Sequence, residues 1–576
     1  MNDTTQRKIS WLAAVTVVAA TIVAYWPSFE VPFYLDDYLH FIETPALHDA
    51  GDVAGIQAYS PARFIANWTL AANYSVHGED VFGYHLVNLL IHLLAGLGLW
   101  LLLSALLRSR ALDIKTRPWL RWVPLIATAI FLLHPLQTQA VTYIIQRHAS
   151  LAAMFYLLSL SAFAWGRLRG DWRLFILTSL AGVLAFFSKQ SAATLPLALL
   201  LVELLFFRRL GPKSVVVVAA AAALTAVLVA WVLHWPRFDI LGTTREVGGM
   251  ARLDYLVTQF GVLWHYIGQF FLIGEQRLEY DFALVAMDWR MGIVLPALGH
   301  LALLILGFLT WRRAPLVAFG ILFYYLAHAV ESSVIPIRDL AFEHRTYLPN
   351  AGLAVALVAG LATMLAGQSR TWQRSAVAGL VLLMGFTLYQ TWARNSLWVQ
   401  PEAFLQANTR LAPDSPRAWT NLGRELLRQE GRTNEALSAI ENALTVAAQS
   451  TVPFDSSALI ILAMAALHER GENFQLLKFA QHLDASALSD QRRFDYHALI
   501  GGAFLSFEIA EQAQAHLSEA VSIRPDPNVI AALAHSELML GHYEQAFLLS
   551  QQVLQVIPDH PVANAIASRF QLNQGQ

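Results

Sequence analysis

Apolar stretches long enough to cross a bilayer recur eleven times in the first 393 residues, at about 10–27, 83–107, 118–134, 149–166, 174–187, 191–207, 214–234, 291–311, 315–331, 348–367 and 375–393. Inside hydrocarbon every backbone polar group must find its partner within the segment, so these stretches have to be helices. The 576 residues are 56% apolar and only 14% charged, well beyond a soluble domain, and mean hydropathy is +0.46. The net charge of −2 gives no reason to expect nucleic acid as a partner. Cysteine is absent, which excludes disulfides and thiolate chemistry.

The connections are of two kinds. RSRALDIKTRPWLR, GRLRGDWR, FFRRLGPK, TWRRAP and GQSRTWQR are short and basic, and the positive-inside rule assigns all five to the cytoplasm. Residues 28–82, HPLQTQ, SKQS, 235–255 and ESSVIPIRDLAFEHRTYLP must then lie outside. The polar start MNDTTQRKIS, followed by an apolar run ending in Tyr25-Trp26-Pro27, reads as an uncleaved signal anchor with a cytoplasmic N-terminus. One apolar segment, 256–274, would invert every later loop if it crossed. It carries Gln259, His265 and Gln269, and a re-entrant or interfacial helix keeps the charge rule intact.

Beyond Arg394 the chain becomes polar. In AWTNLGRELLRQEGRTNEALSAIENAL, residues Trp419, Leu422, Gly423, Leu426, Gly431, Ala436, Ile440 and Ala443 follow the 34-residue tetratricopeptide pattern. Copies recur around Gly501 to Pro525 and Leu533 to Pro558, with a weaker one over 457–486. The expectation is an all-α chain: a polytopic helical membrane domain over 1–395, with its large external loop at 28–82, and an external solenoid of helix pairs over 396–576.

A large loop after the first span that carries an acidic pair resembles the GT-C glycosyltransferases. The closer likeness is to the tetratricopeptide-containing O-mannosyltransferases and their bacterial relatives. It rests on YLDDYLHFIETPAL, NYSVHGEDVFGYHLVNLLIHLL, FLLHPLQTQAVTYIIQRHASLAA, FSKQSAATLP, TQFGVLWHYIGQFFLIGEQRLEYDF and ESSVIPIRDLAFEHRTYLPNAGL, in that order, and then on the repeats. The resemblance implies transfer of a sugar from a polyprenyl-phosphate carrier to an acceptor hydroxyl on the external face, with inversion at the anomeric carbon. A bacterial inner membrane and a periplasmic repeat domain go with it. The repeats would recruit an exported acceptor protein, so Ser or Thr is the preferred acceptor. Transfer of a lipid-linked oligosaccharide, modification of a glycan or lipid, and a non-enzymatic membrane-anchored scaffold stay open beside it. Relatives often have acidic residues where this chain has Gln139 and Gln190, which leaves a divalent metal open and the sugar unassigned.

Asp36 and Asp37 have two readings. Either could cap a short helix, since Asp satisfies exposed amide donors there. The resemblance favours a general base for one of them, and Asp36 is preferred. A phosphate-linked donor needs cations. Arg345 in EHRTYLP, Lys189 in a very short turn, Arg147 and Arg63 are the candidates, while Arg245, Arg252, Arg277 and Arg338 read as headgroup anchors. Glu331 ends an apolar span and either meets water or lines the site. Glu343, His344 and Tyr347 flank Arg345. His85, Asn88 and His92 share one helix face, where hydrogen bonding between helices is favoured over a metal site.

Overall fold

The computed structural model describes residues 3–112, 117–207, 215, 216, 219, 220, 223, 227, 250–286, 291–333, 336, 337, 339–450 and 454–574. Every regular element among them is helical. The expected span 214–234 lies outside the described residues apart from six isolated positions, and Arg245 and Arg338 lie outside them entirely. The chain divides into two compact units, one running to Pro413 and the other starting at Asp414.

In the first unit, seven helices among the described residues are long and apolar enough to cross a membrane: Trp11–Glu30, Val81–Leu106, Ile144–Arg169, Gln190–Phe207, Gly292–Thr310, Glu343–Met364 and Arg370–Trp398. Pro118–Leu133 and Pro135–Thr142 add an eighth if taken as one span bent by 58°. Pro135 has no amide proton and cannot continue the helix, and the His134 ring takes over as acceptor for the Leu136 N–H. The stretches at 174–187 and 315–331 form shorter apolar helices, Trp172–Phe186 and Pro315–His328. The helix Arg252–Phe270 covers most of the segment expected to lie re-entrant, and it is not among those apolar enough to cross.

Two features mark lipid as the solvent of this unit. Val377, Val381, Leu382 and Phe386 stand exposed on Arg370–Trp398, as do Leu295, Leu298, Leu301 and Ile305 on Met291–Thr310. Helices also approach through small residues, the packing available where no hydrophobic force draws apolar helices together. A methyl group on Gly320 would sit 2.5 Å from the Gly352 carbonyl oxygen on the neighbouring helix. The protein is an integral membrane protein. Two of the basic loops meet, Arg117 Nη1 donating to the Arg313 carbonyl at 2.7 Å. Residues expected on the other side also find one another, the Ile65 N–H donating to the Phe187 carbonyl at 3.0 Å.

The boundary between units falls later than composition suggests. Helix Pro401–Leu411 belongs to the first unit: Asn408 Oδ1 accepts the Leu278 and Glu279 amides at 2.8 and 3.2 Å, and Phe404 packs on Trp398 with ring centroids 4.3 Å apart. Polarity marked this helix as soluble, but its buried face is committed to membrane-domain loops.

The second unit contains the expected helix pairs, Pro416–Leu427 with Thr433–Gln449, Ser457–Glu469 with Asn473–Ala480, Asp490–Ser506 with Ala510–Ile523, and Pro527–Met539 with Tyr543–Val556, followed by Pro561–Gln574. The weak copy is the pair whose second helix has only 8 residues. Gly501 lets its partner helix close in, since a Cβ there would meet Leu517 Cγ at 2.6 Å. Three of the hairpin turns place a glycine at positive φ: Gly431 at 78°, Gly471 at 71° and Gly541 at 83°. In the third pair the same role falls to Glu508, at φ 58°. A left-handed conformation costs an L residue roughly 1–2 kcal/mol, partly offset by the extra chain entropy of glycine. Glu508→Gly is therefore expected to stabilise the repeats by about 0.5–1 kcal/mol, raising the urea midpoint of the detergent-solubilised chain. A lowered midpoint would show that the glutamate side chain contributes more than its backbone costs.

Candidate functional site

The acidic pair sits at a reversal of the chain. Leu35 has φ 32°, a conformation leucine rarely adopts, and the Asp37 N–H donates back to the Tyr34 carbonyl at 2.6 Å. Immediately afterwards Tyr38–Ile42 closes as a single π turn. Neither carboxylate caps a helix. Asp37 is buried, its Oδ2 accepting the Tyr34 N–H at 2.8 Å and its Oδ1 accepting the Ile145 N–H at 2.7 Å. Burial pushes its carboxyl well above the usual range, opposed by those two amides and by Arg147, with Asp36 adding to the rise. Asp37 thus fastens the loop to the turn ahead of helix Arg147–Arg169. Asp36 differs. It is half-buried, its own N–H donates to Tyr143 Oη at 2.9 Å, and its carboxylate accepts no hydrogen bond from any described residue.

The cations fall into two groups. Arg147 is fully buried, and its donors are already committed: Nε to Asn88 Oδ1 at 2.6 Å, Nη1 to Asn73 Oδ1 at 2.6 Å and to the Thr69 carbonyl at 3.0 Å, and Nη2 to the Tyr84 carbonyl at 3.1 Å. Expected beside a carrier phosphate, it instead ties loop 28–82 to the membrane helices. Arg63, Lys189 and Arg345 are placed otherwise. Arg63 is exposed, pairs with no carboxylate among the described residues and lies within electrostatic reach of both Glu331 and Asp36. Lys189 Nζ pairs with Glu331 Oε1 at 2.7 Å. Burial pulls its ammonium below the usual lysine value, and Glu331 opposes the shift. The Arg345 guanidinium lies over the Phe342 ring at 5.6 Å, and its one direct backbone contact is a long 3.4 Å bond from Nη1 to the Leu340 carbonyl.

Lys189, Glu331, His344, Arg345 and Tyr347 line one narrow cavity of about 20 Å³, enough for a single water. His344 Nδ1 is buried there with no partner. Arg63 lies within electrostatic reach as well, so three cations stand near Glu331, with Asp339 near Arg345 and Asp36 near Arg63 as further carboxylates.

The remaining candidates support this arrangement. Glu343 is fully buried, accepting from the Arg277 N–H at 2.8 Å, Tyr280 Oη at 2.7 Å and Arg394 Nη2 at 2.7 Å. Tyr347 Oη meets His92 Nδ1 at 2.7 Å, and His85 Nε2 meets the Val31 carbonyl at 2.8 Å. The three polar residues on the His85 helix face therefore reach different neighbours, because Asn88 Nδ2 donates to the Val141 carbonyl at 3.0 Å. Among the described residues no three His, Asp or Glu converge to hold a metal, and Gln139 spends its oxygen on the His344 N–H at 2.7 Å. This donor set does not fit a divalent metal.

The chain is 21% identical to protein O-mannosyl-transferase Tmtc3 of Drosophila melanogaster over 460 residues, 68% of this chain and 49% of that protein. The curated relatives it matches are O-mannosyltransferases. Shorter matches are to Tmtc1 of Drosophila melanogaster, 31% over 122 residues covering 21% of this chain and 13% of that protein, and to TMTC1 of Mus musculus, 28% over 117 residues covering 19% and 12%. The chain spans about half the length of Tmtc3. No family model matches. A solved structure of the APC/C hetero-tetramer Cut9-Hcn1 aligns over 90% of this chain and 92% of its own at 14% identity, with a TM-score of 0.17, too low to bear on the fold. The likeness to the O-mannosyltransferases expected from the YLDDYLHF and EHRTYLP stretches thus reappears among curated proteins.

Sequence reasoning missed two residues that support the site. Tyr143 orients the Asp36 backbone and Arg394 neutralises Glu343, yet nothing in the local pattern marks either. Their partners lie 107 and 51 residues away.

Proposed function

We propose that this chain is a GT-C membrane glycosyltransferase that moves mannose from a polyprenyl-phosphate carrier to a Ser or Thr hydroxyl of an exported protein. The observation that supports this most is the Asp36 carboxylate, free of hydrogen bonds among the described residues, near Arg63, Lys189 and Arg345 at the same end of the helical domain. In this reading the acceptor hydroxyl gives its proton to Asp36 as its oxygen attacks the anomeric carbon. The bond from that carbon to the phosphate oxygen breaks on the opposite face, inverting the centre. The phosphate leaves with the electron pair and gains negative charge, which Arg63, Lys189 and Arg345 stabilise. Glu331 holds the lysine until the donor arrives. The reading places this end outside the membrane, with the basic loops in the cytoplasm.

The direct test follows radiolabelled mannose from polyprenyl phosphate to protein in membranes containing the chain. Absence of protein-bound label with an intact, folded chain would overturn the proposal. The repeats are assigned to holding the acceptor, so removing residues 414–576 is expected to reduce transfer to protein at least ten-fold while donor hydrolysis persists. The cut falls after Pro413 because Pro401–Leu411 supports the membrane domain. Undiminished transfer to the same acceptors would remove the recruiting role from the repeats.

A further inference from the structure

At the end of the membrane domain that carries the basic loops, Arg108 and Arg169 converge on one indole. Their guanidinium carbons lie 4.8 and 4.7 Å from the ring centroid of Trp165. Both arginines are exposed. Arg108 Nη1 donates to the Ser104 carbonyl at 2.9 Å, and neither arginine meets a carboxylate among the described residues. The nearby Arg167 is different, being held by both oxygens of Glu203 at 2.7 and 2.8 Å. Two like charges at one ring, with no carboxylate beside them among the described residues, favour an anion that joins them.

A groove of about 360 Å³ runs from this point between three helices, lined by Leu101, Leu158, Trp165, Arg169, Leu177 and Leu184 among others. Apart from Arg169, Ser161 and the edge of Trp165 its walls are hydrocarbon. Leu177 stands 49% exposed at its rim, on a helix whose outer face meets lipid. An apolar groove with Arg169 in its wall and Arg108 on the same Trp165 ring, neither meeting a carboxylate among the described residues, suits one molecule, an alkyl chain carrying a phosphate. A free anion would leave the slot empty, and an apolar helix would leave the charges unmet.

We infer that Arg108, Arg169 and Trp165, with the groove beneath them, form a binding site for one anionic glycerophospholipid at the membrane surface opposite the transfer site. The phosphodiester lies between the two guanidiniums and one acyl chain fills the groove. Indole and guanidinium both suit the headgroup level, which fixes the depth.

The test is native mass spectrometry of the full chain, delipidated and then mixed with equal amounts of phosphatidylglycerol and phosphatidylcholine. The wild-type chain is expected to retain one phosphatidylglycerol in preference. Arg108→Gln with Arg169→Gln should lower that retention roughly twenty- to thirty-fold, the worth of two surface arginines. Leu177→Trp, which adds bulk at the exposed rim without disturbing the core, should lower retention of either lipid. A phosphatidylglycerol preference unchanged in the double variant would overturn the site. Displacement of the bound lipid by millimolar inorganic phosphate alone would show a simple anion site and overturn the lipid assignment.

Discussion

Asp36→Asn is expected to lower mannose transfer by 10² to 10⁴, the usual worth of a positioned general base, while expression and melting temperature stay close to those of the wild-type chain. The amide has the shape of the carboxylate, and the Asp36 side chain makes no hydrogen bond among the described residues that the change would break. The neighbouring Asp37→Asn should behave in the opposite way. Its two oxygens accept the Tyr34 and Ile145 amides, and an amide nitrogen in place of one oxygen would face a donor with a donor. Leaving a buried donor unsatisfied costs about 1–3 kcal/mol, so the loss should appear first in the melting curve. The pair therefore separates chemistry from support. Initial rates with mannosyl-polyprenyl phosphate, run beside differential scanning fluorimetry, distinguish the two. Wild-type turnover by Asp36→Asn would end its assignment as the base, and a dead but fully stable Asp37→Asn would transfer the role to its neighbour.

Arg345→Ala is expected to slow transfer by roughly 10² to 10³, corresponding to about 2–4 kcal/mol of transition-state stabilisation, with Arg345→Lys recovering only part. The phosphate gains charge as the sugar departs, so the contact strengthens between ground state and transition state, and the loss should fall on kcat as well as on KM. Arg345 is the cleanest of the three cations to test. Lys189 is half of a close pair with Glu331, and removing it would strand a carboxylate at a mostly buried site. Arg345 is held by the Phe342 ring, the Tyr255 hydroxyl and one long backbone bond, with Glu331 and Asp339 within electrostatic reach. Turnover unchanged in Arg345→Ala would reduce it to an anchor and leave Arg63 and Lys189 to hold the phosphate. The measurement is initial rate against donor concentration in nanodiscs.

Much of this protein is legible in its sequence, and the reason is local. Hydrocarbon demands internally satisfied backbone, so the long apolar runs read directly as helices, and the short basic loops between them could be sorted by side. The repeats were legible for a related reason. A small residue such as Gly501, facing Leu517 across a helix pair, imposes its spacing within a few tens of residues. The presence of Asp36, Lys189, Arg345 and Glu331 near the ends of apolar runs was equally visible, because charges there are rare.

Their division of labour was decided only by tertiary contacts. Nothing in two adjacent aspartates says that one will bind the amide of Ile145, 108 residues away, and so become structural while the other stays free. Arg147 has the same local appearance as a phosphate ligand, and only the convergence of Asn73, Asn88, Thr69 and Tyr84 reveals that its donors are spent. Glu331 and Lys189 become partners because two turns far apart in the chain come to the same end of the bundle. Sequence by itself marked the apolar runs, seven of which, among the described residues, fold as helices long enough to cross a membrane, and where the repeats lie, since each depends on the chemistry of a short stretch. Which of the charges are spent on neighbouring groups was settled by long-range hydrogen bonding, since a buried polar group takes whatever partner the fold delivers to it.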